Sequence, residues 1–209
     1  LEIIPLPPSI PTGGGNDFGM TFACDNTLSL TSVITRTLYH FDELGDSTAI
    51  GGNGTLGAEI SAIAAIGSPA MLYGLSLGNV ASPKLYSIDT GTGVATEIGP
   101  LVNAAPYNEA GLAFDDDGKL WAITDRSLPG NQPSQVLSIN IDTGMATVVS
   151  TTIETGFESL AITPPTNCNA STGDDNDYHP IPALSKIGLL VLMTSLILAG
   201  MIILRRRVF

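Results

Sequence analysis

The sequence is poor in the residue types that most often build catalytic and metal sites. Its 209 residues include two cysteines, two histidines and one tryptophan, and eight lysines and arginines stand against twenty acids. So few cysteines and histidines give no cluster with the spacing of a zinc site. The scarcity of basic residues also excludes the charged stripe with which proteins bind nucleic acid. Zinc proteins and nucleic-acid-binding proteins are therefore the first classes to be set aside.

The acidic excess lies almost entirely upstream of residue 183. Residues 1–182 hold all twenty acids and four bases, which leaves a formal charge of −16. The four bases are Arg36, Lys84, Lys119 and Arg126. Such a surface repels nucleic acid and anionic lipid, and it is compatible with cationic ligands or divalent ions.

The C-terminal tail supplies the long hydrophobic run that the rest of the chain lacks. Residues 187–204 contain no charge and, as a helix, would span roughly 27 Å, close to the hydrocarbon thickness of a bilayer. The run is apolar on every face, which favours a transmembrane helix over a buried core helix. Arg205, Arg206 and Arg207 follow at once, and the positive-inside rule then predicts a cytoplasmic C-terminus and an extracytoplasmic upstream chain.

A short motif precedes this run. It consists of Ile181, Pro182, Ala183, Leu184 and, after three further residues, Gly188. With the apolar helix and the arginine cluster it resembles the bacterial IPTL-CTERM protein-sorting domain, in which threonine and tryptophan stand where this chain has Ala183 and Ile187. The tails of that family have the same organisation as PEP-CTERM tails, which exosortase-type membrane enzymes process. The resemblance implies a membrane protein that such an enzyme sorts to the bacterial cell envelope; a tail that simply stays in the membrane is the alternative.

The two cysteines and the N-terminus bear on the compartment. Cys24 and Cys168 suit an oxidising environment, where they could form one disulfide. An exported chain needs an export signal, yet "LEIIPLPPSI" has no basic or apolar signal region, and Leu1 is not an initiator methionine. We therefore expect further sequence before Leu1 in the native protein.

Repeated strand–turn–strand patterns organise the middle of the chain. "LYHFDELGDSTAIG", "LYSIDTGTGVATEIG" and "VLSINIDTGMATVVS" can be laid over one another, and the hairpins "GMTFACDNTLSLTS", "AIAAIGSPAMLYGLS" and "GLAFDDDGKLWAIT" precede them. The equivalent positions Met20, Ile63, Leu112 and Leu160 lie about 43 to 49 residues apart, the period of four-stranded propeller blades. The sequence predicts an all-β domain with blades at 18–50, 60–98 and 109–150 and a lone strand at 158–162.

The repeats resemble those of extracellular bacterial β-propellers that carry "LYxIDxxTGxAT" and "GLAFDxDGxLW" motifs. This resemblance implies the architecture and no particular activity. The predicted organisation is an N-terminal segment at 1–17, with truncation before it as an expectation, and a propeller-like domain at 18–163. A disordered acidic linker at 164–182 and the sorting or transmembrane tail at 183–209 follow. In a ring that closes after three and a half blades, Cys24 and Cys168 would be neighbours.

Two glycine motifs offer chemistry that their context does not support. "GLSLG" around Ser76 matches a hydrolase nucleophile elbow, but His40 and His179 are the only histidines, and a loop and a strand follow where the elbow needs a helix. "GNGTLG" at 52–57 matches a dinucleotide fingerprint, but no acid follows about twenty residues later. The repeats place the second motif in a loop between blades.

Four carboxylates occupy equivalent positions just before the predicted innermost strands. They are Asp17, Glu59, Glu109 and Glu158. In a ring these positions converge at the axial mouth, where carboxylate oxygens could hold Ca²⁺. A solvated acidic rim without metal is the interpretation that we favour, and we predict no other cofactor.

The sequence predicts a surface-displayed propeller that serves interaction or envelope structure, and a non-enzymatic role is the interpretation that we favour. An extracellular protein or a glycan is the expected ligand. The alternative is a propeller hydrolase or lactonase that uses a metal bound by the axial carboxylates, because "GLAFDDDGKLW" also resembles blade motifs of gluconolactonase-like proteins.

Overall fold

A computed structural model describes residues 17–42, 44–78, 83–128 and 130–162. All of them belong to one unit, Leu1–Ala170. The second unit, Ser171–Phe209, lies outside the described residues, as do the predicted linker, the sorting motif and the transmembrane run. Within the described ranges, no helix has the length and apolar character needed to cross a bilayer.

The described residues form twelve β-strands in three antiparallel sheets, each ordered as a simple meander. The first sheet contains β1 (Phe18–Phe22), β2 (Leu28–Ser32), β3 (Thr37–Phe41) and β4 (Ser47–Ile50). The second contains β5 (Ile60–Ile66), β6 (Met71–Ser76), β7 (Lys84–Ile88) and β8 (Ala95–Pro100). The third contains β9 (Ala110–Phe114), β10 (Leu120–Thr124), β11 (Gln135–Ile139) and β12 (Ala146–Thr151). We call these sheets blades 1, 2 and 3.

Polar residues close the turns inside the blades. In blade 2, Asp89 Oδ1 accepts hydrogen bonds from the backbone N–H groups of Gly91 and Thr92, at 3.0 and 2.7 Å. Asn140 Oδ1 accepts the corresponding bonds from Asp142 and Thr143 in blade 3. A short carboxylate or amide therefore fixes each turn and, with it, the register of the two strands that it joins.

The first strands of the blades lie side by side, with β5 between β1 and β9. Small residues permit the close approach. A Cβ on Gly19 would lie 3.0 Å from the backbone of Ala62 and Ile63, and a Cβ on Gly111 would overlap the backbone of Ser159 and Leu160. The backbones of β1 and β5 are thus in close contact, as are β9 and the segment at 159–160.

Apolar side chains fill the two spaces between neighbouring blades. The core between blades 1 and 2 consists of Leu38, Leu56, Ile60, Ile63, Leu72 and Ile88. The larger core, between blades 2 and 3, includes Leu75, Leu85, Leu101, Tyr107, Phe114, Leu120 and Leu137. Each blade therefore buries its apolar surface against a neighbour, as expected of repeat architectures.

One glycine turn joins blade 2 to blade 1, and another joins blade 3 to blade 2. Gly93, in the β7–β8 turn, has φ of 73°, and a Cβ there would clash with the carbonyl oxygen of Ile50 at the end of β4. Gly144, in the β11–β12 turn, has φ of 75° and stands in the same way against the carbonyl oxygen of Gly99 in β8. Both positions require glycine for backbone conformation and for space.

The fold agrees with most of the sequence prediction. The all-β class and the three four-stranded antiparallel sheets are confirmed, and the strand order is that of propeller-like blades. The predicted lone strand at 158–162 is wrong, because no ladder of the described strands includes these residues. The segment instead lies with its backbone against Gly111. The predicted C-terminal helix lies outside the described residues.

Candidate functional site

A cleft of about 240 Å³ opens where the first strands of the three blades meet. Its polar side chains belong to Ser61, Glu109, Glu158 and Ser159. Its apolar lining comes from Phe18, Met20, Ala62, Ile63, Ala110, Leu112 and Leu160, and Gly19 and Gly111 complete the wall. We call this space the inner-strand cleft.

Carboxyl groups gather at one side of the inner-strand cleft. Glu109 stands directly before β9 and shares a side-chain hydrogen bond with Asp17, which stands directly before β1. Burial, followed by the charges of Asp17 and Glu158, raises the pKa of Glu109 to about 7. The structure therefore brings together Asp17, Glu109 and Glu158, and the cluster holds a proton near neutral pH.

Asp125 belongs to the same neighbourhood, although the repeat pattern did not point to it. It follows β10, and its backbone N–H donates to the carbonyl of Glu109 at 2.7 Å. Its carboxylate is buried and accepts hydrogen bonds from the backbone N–H and hydroxyl of Ser127, at 2.8 and 2.9 Å. The sequence does carry a signal for this position, because the residue after β10 must pair with the residue before β9 in an antiparallel hairpin.

Ser61 is the second residue that the sequence analysis missed. The register of β5 against β6 shifts between Ile60 and Ala62, so Ser61 is the extra residue of a β-bulge. Ser61 is 6% exposed, and its Oγ is buried without a hydrogen-bond partner. A buried hydroxyl without a partner is costly and often marks a ligand or water position. We find no sequence signal for this bulge.

Glu59, the fourth predicted carboxylate, is engaged elsewhere. Its Oε1 pairs with Arg36 Nη2 of blade 1 at 2.5 Å. This contact joins the β2–β3 turn to the residue before β5 and does not line the inner-strand cleft. The structure therefore places three of the four predicted carboxylates together and uses the other as an interblade ion pair.

The described residues do not form a metal-binding site. Among them, no group of three or more His, Cys, Asp or Glu side chains is placed as a ligand set. The Ca²⁺ site that the sequence offered as an alternative therefore gains no support.

The other residues that the sequence analysis considered, Ser76, the glycine motif at 52–57 and Cys24, lie in strands, turns or a disulfide of the blades. Ser76 ends β6, where its Oγ accepts a hydrogen bond from the backbone N–H of Lys84 at 3.0 Å. The glycine motif at 52–57 is a turn between β4 and β5, and the residues after it form a strand and not a nucleotide-binding helix. Cys24 is disulfide-bonded, but Cys168 lies outside the described residues, so their pairing stays a prediction.

No family model and no curated protein matches the chain. Among solved structures it is similar to virginiamycin B lyase from Staphylococcus aureus, with 18% identity and a TM-score of 0.44 over 66% of this chain and 41% of that one. It is similar to aldose sugar dehydrogenase from Streptomyces coelicolor, with 19% identity and a TM-score of 0.44 over 61% of this chain and 45% of that one. It is also similar to the calcium-binding protein regucalcin from Agrobacterium tumefaciens, with 21% identity and a TM-score of 0.45 over 65% of this chain and 43% of that one. The chain spans less than half the length of each, and its blades are assigned from its own strand order and register.

Proposed function

We propose that the chain is a propeller-like binding module that works at the cell envelope. In this proposal the inner-strand cleft takes the ligand, an extracellular protein or glycan. The C-terminal segment anchors the chain in the membrane, or an exosortase-like enzyme sorts it, with the extreme C-terminus cytoplasmic before any processing. In this proposal the protein acts by binding.

The inner-strand cleft is the observation that carries the proposal. Three blades contribute to it, and it combines carboxylates, a buried hydroxyl without a partner and apolar walls. Binding sites typically place a few polar groups in a largely apolar concave surface. The acidic upstream chain, the disulfide at Cys24 and the arginine-capped tail support the envelope location.

Mass spectrometry of the native protein tests the location. Membrane and envelope fractions would be separated, and the intact mass and both termini determined in each. We expect the protein in these fractions, either ending near residues 181–188 if the tail is cut or ending at Phe209 if it is retained. Recovery of the chain only from the cytosol would refute the envelope role.

One observation favours a hydrolase as a second candidate. A carboxyl group with a pKa of about 7 is suited to general acid–base catalysis at neutral pH, and Glu109 has that property in a cleft. Lactones and simple esters are the substrates to test. Turnover that Glu109→Gln abolishes and Asp117→Asn leaves intact would support this candidate, whereas an absence of turnover in the native protein would dismiss it.

A further inference from the structure

The face of blade 1 that points away from blade 2 is apolar. Gly19 and Leu38 point towards blade 2, because a Cβ on Gly19 would meet the backbone of β5 and Leu38 belongs to the core between the two blades. Side chains alternate along a strand, so the next residues point the other way. The strand register places five apolar residues together on that opposite face: Met20, Phe22, Leu28, Leu30 and Phe41. We call this surface the open face of blade 1.

Residues at the same positions of the repeat are buried in blade 3. Alignment of "GMTFACDNTLSLTS" with "GLAFDDDGKLWAIT" makes Leu112 equivalent to Met20. Two residues later, Phe114 is equivalent to Phe22. Leu112 and Phe114 are 7% and 3% exposed, because they pack in the core against the preceding blade. Met20 and Phe22 are 62% and 67% exposed. These positions therefore form a packing surface, which the described part of the chain leaves uncovered in blade 1.

The size of the open face limits what can cover it. Met20 and Phe22 together expose on the order of 250 Å², given about 200 Å² for a fully exposed side chain of this size. Leu28, Leu30 and Phe41 are half-buried and add at most a similar area. A stable interface between two proteins buries about 800 Å² on each partner. The open face is therefore too small to hold a second copy by itself, and its area suits a short apolar segment.

The residues before β1 have the composition and the reach of such a segment. Residues 1–12 carry one charge, at Glu2, and five large aliphatic side chains: Leu1, Ile3, Ile4, Leu6 and Ile10. They lead through residues 13–16 to Asp17, directly before β1. An extended chain covers about 3.5 Å per residue, so residues 1–12 could cross the whole blade, whose four strands are about 14 Å across. Their four prolines also reduce the conformational entropy that docking costs.

We propose that residues 1–12 pack on the open face of blade 1 and cap this end of the blade series. The segment takes the place that a preceding blade has in blades 2 and 3. Terminal repeats of such architectures need a cap to remain soluble. Because the segment is tethered to β1, its docking is intramolecular and has an effective concentration in about the millimolar range. This inference is independent of what the inner-strand cleft binds.

Oxidation of the full chain by dilute hydrogen peroxide tests the proposal. Met20, Met71 and Met145 lie in or beside strands of three different blades and are 62%, 55% and 51% exposed, so on these exposures they would oxidise at similar rates. Peptide mass spectrometry measures the three rates in one sample. We expect Met20 to oxidise about threefold or more slowly than the other two, because the segment covers it. In the Ile3→Asp, Ile4→Asp double variant the three rates should become similar, since charged residues do not dock on an apolar face.

The matched control is the Ser9→Asp, Thr12→Asp double variant. It adds the same two charges to the segment at polar positions, and Met20 should stay protected in it. Oxidation of Met20 as fast as that of Met71 in the wild type would overturn the proposal. Protection that persists in the Ile3→Asp, Ile4→Asp variant would overturn it too. In that case, dependence of the protection on protein concentration would identify a second copy as the cover, and independence would identify another segment of the chain.

Discussion

Gly78 lies against the aromatic ring of Tyr107, and the contact joins blades 2 and 3. A Cβ on Gly78 would overlap the ring. The Tyr107 hydroxyl donates to the carbonyl of Ser76 at 3.2 Å, and the backbone N–H of Gly78 donates to the carbonyl of Asn108 at 3.1 Å. Tyr107 is 2% exposed, so neither its ring nor its hydroxyl has room to move aside.

Gly78→Ala is expected to destabilise the protein by about 1–3 kcal/mol, because the new methyl group overpacks a filled interface. Chemical denaturation measures the change. Gly91→Ala is the matched control, since a Cβ there meets only Asp89 Oδ1 at 3.5 Å, and it should alter stability by less than about 0.5 kcal/mol. Equal effects of the two substitutions would contradict the packing argument.

The raised pKa of Glu109 predicts a pH dependence of stability. Between its ordinary value of 4.5 and about 7, the folded state binds more protons at Glu109 than the unfolded state does. The contribution of Glu109 to the free energy of unfolding therefore falls as the pH rises through this window. Glu109→Gln mimics the protonated form, so we expect it to be more stable than the wild type at pH 8, by on the order of 1 kcal/mol given partial solvent screening.

The difference between the two proteins should shrink as the pH falls towards 5, and thermal unfolding of both across this range measures it. Comparison of the pair also removes the effect of His40. Burial lowers the pKa of His40, so its contribution to stability is lost on acidification, but to the same extent in both proteins. A Tm difference that does not vary with pH would show that Glu109 titrates normally.

Asp115 fixes both a turn and the single tryptophan. Its Oδ2 accepts from Trp121 Nε1 at 2.6 Å, and its Oδ1 accepts from the backbone N–H groups of Asp117 and Lys119. Asp115→Ala should cost about 1–3 kcal/mol, since it removes hydrogen bonds to a charged acceptor. It should also shift the emission of Trp121. Asp117→Ala, exposed in the same turn, is the control and should leave the emission unchanged.

Calcium should leave the stability of the protein unchanged. A cation bound only to the folded state raises Tm in proportion to the logarithm of its concentration. Because the described residues form no ligand set, we expect identical melting curves in millimolar CaCl₂ and in EDTA. A rise in Tm with CaCl₂ concentration that Glu109→Gln removes would show that calcium binds in the cleft.

The sequence predicts this fold well because its signals are local and repeated. Each "LYxxD…G" segment contains two strands and the polar residue that closes their turn, as Asp89 does between β7 and β8. Local patterns of this kind determine the meander order without reference to the rest of the chain. The segment at 158–162 has the same apolar pattern but does not pair with a described strand, which its own residues do not reveal.

The site is less predictable because it depends on departures from the repeat. Equivalent positions indicated Asp17, Glu109 and Glu158 as neighbours but also included Glu59, whose partner Arg36 stands in a turn of another blade. Ser61 depends on a one-residue shift in strand pairing, which leaves the composition of β5 unremarkable. The Arg36–Glu59 ion pair and the bulge at Ser61 are departures from the repeat, so neither carries a periodic signal.

The contacts of Gly93 with Ile50 and of Gly144 with Gly99 amount to a local rule of assembly. Blades 2 and 3 each carry in their own turn the glycine that packs against the blade before, and blades 1 and 2 each carry in the last strand the carbonyl that it meets. Duplication of the gene segment for one blade therefore copies both halves of a joint at once. A protein that gains or loses a repeat therefore needs no new interface. Substitution of one of these glycines should weaken only the contact between its own blade and the blade before.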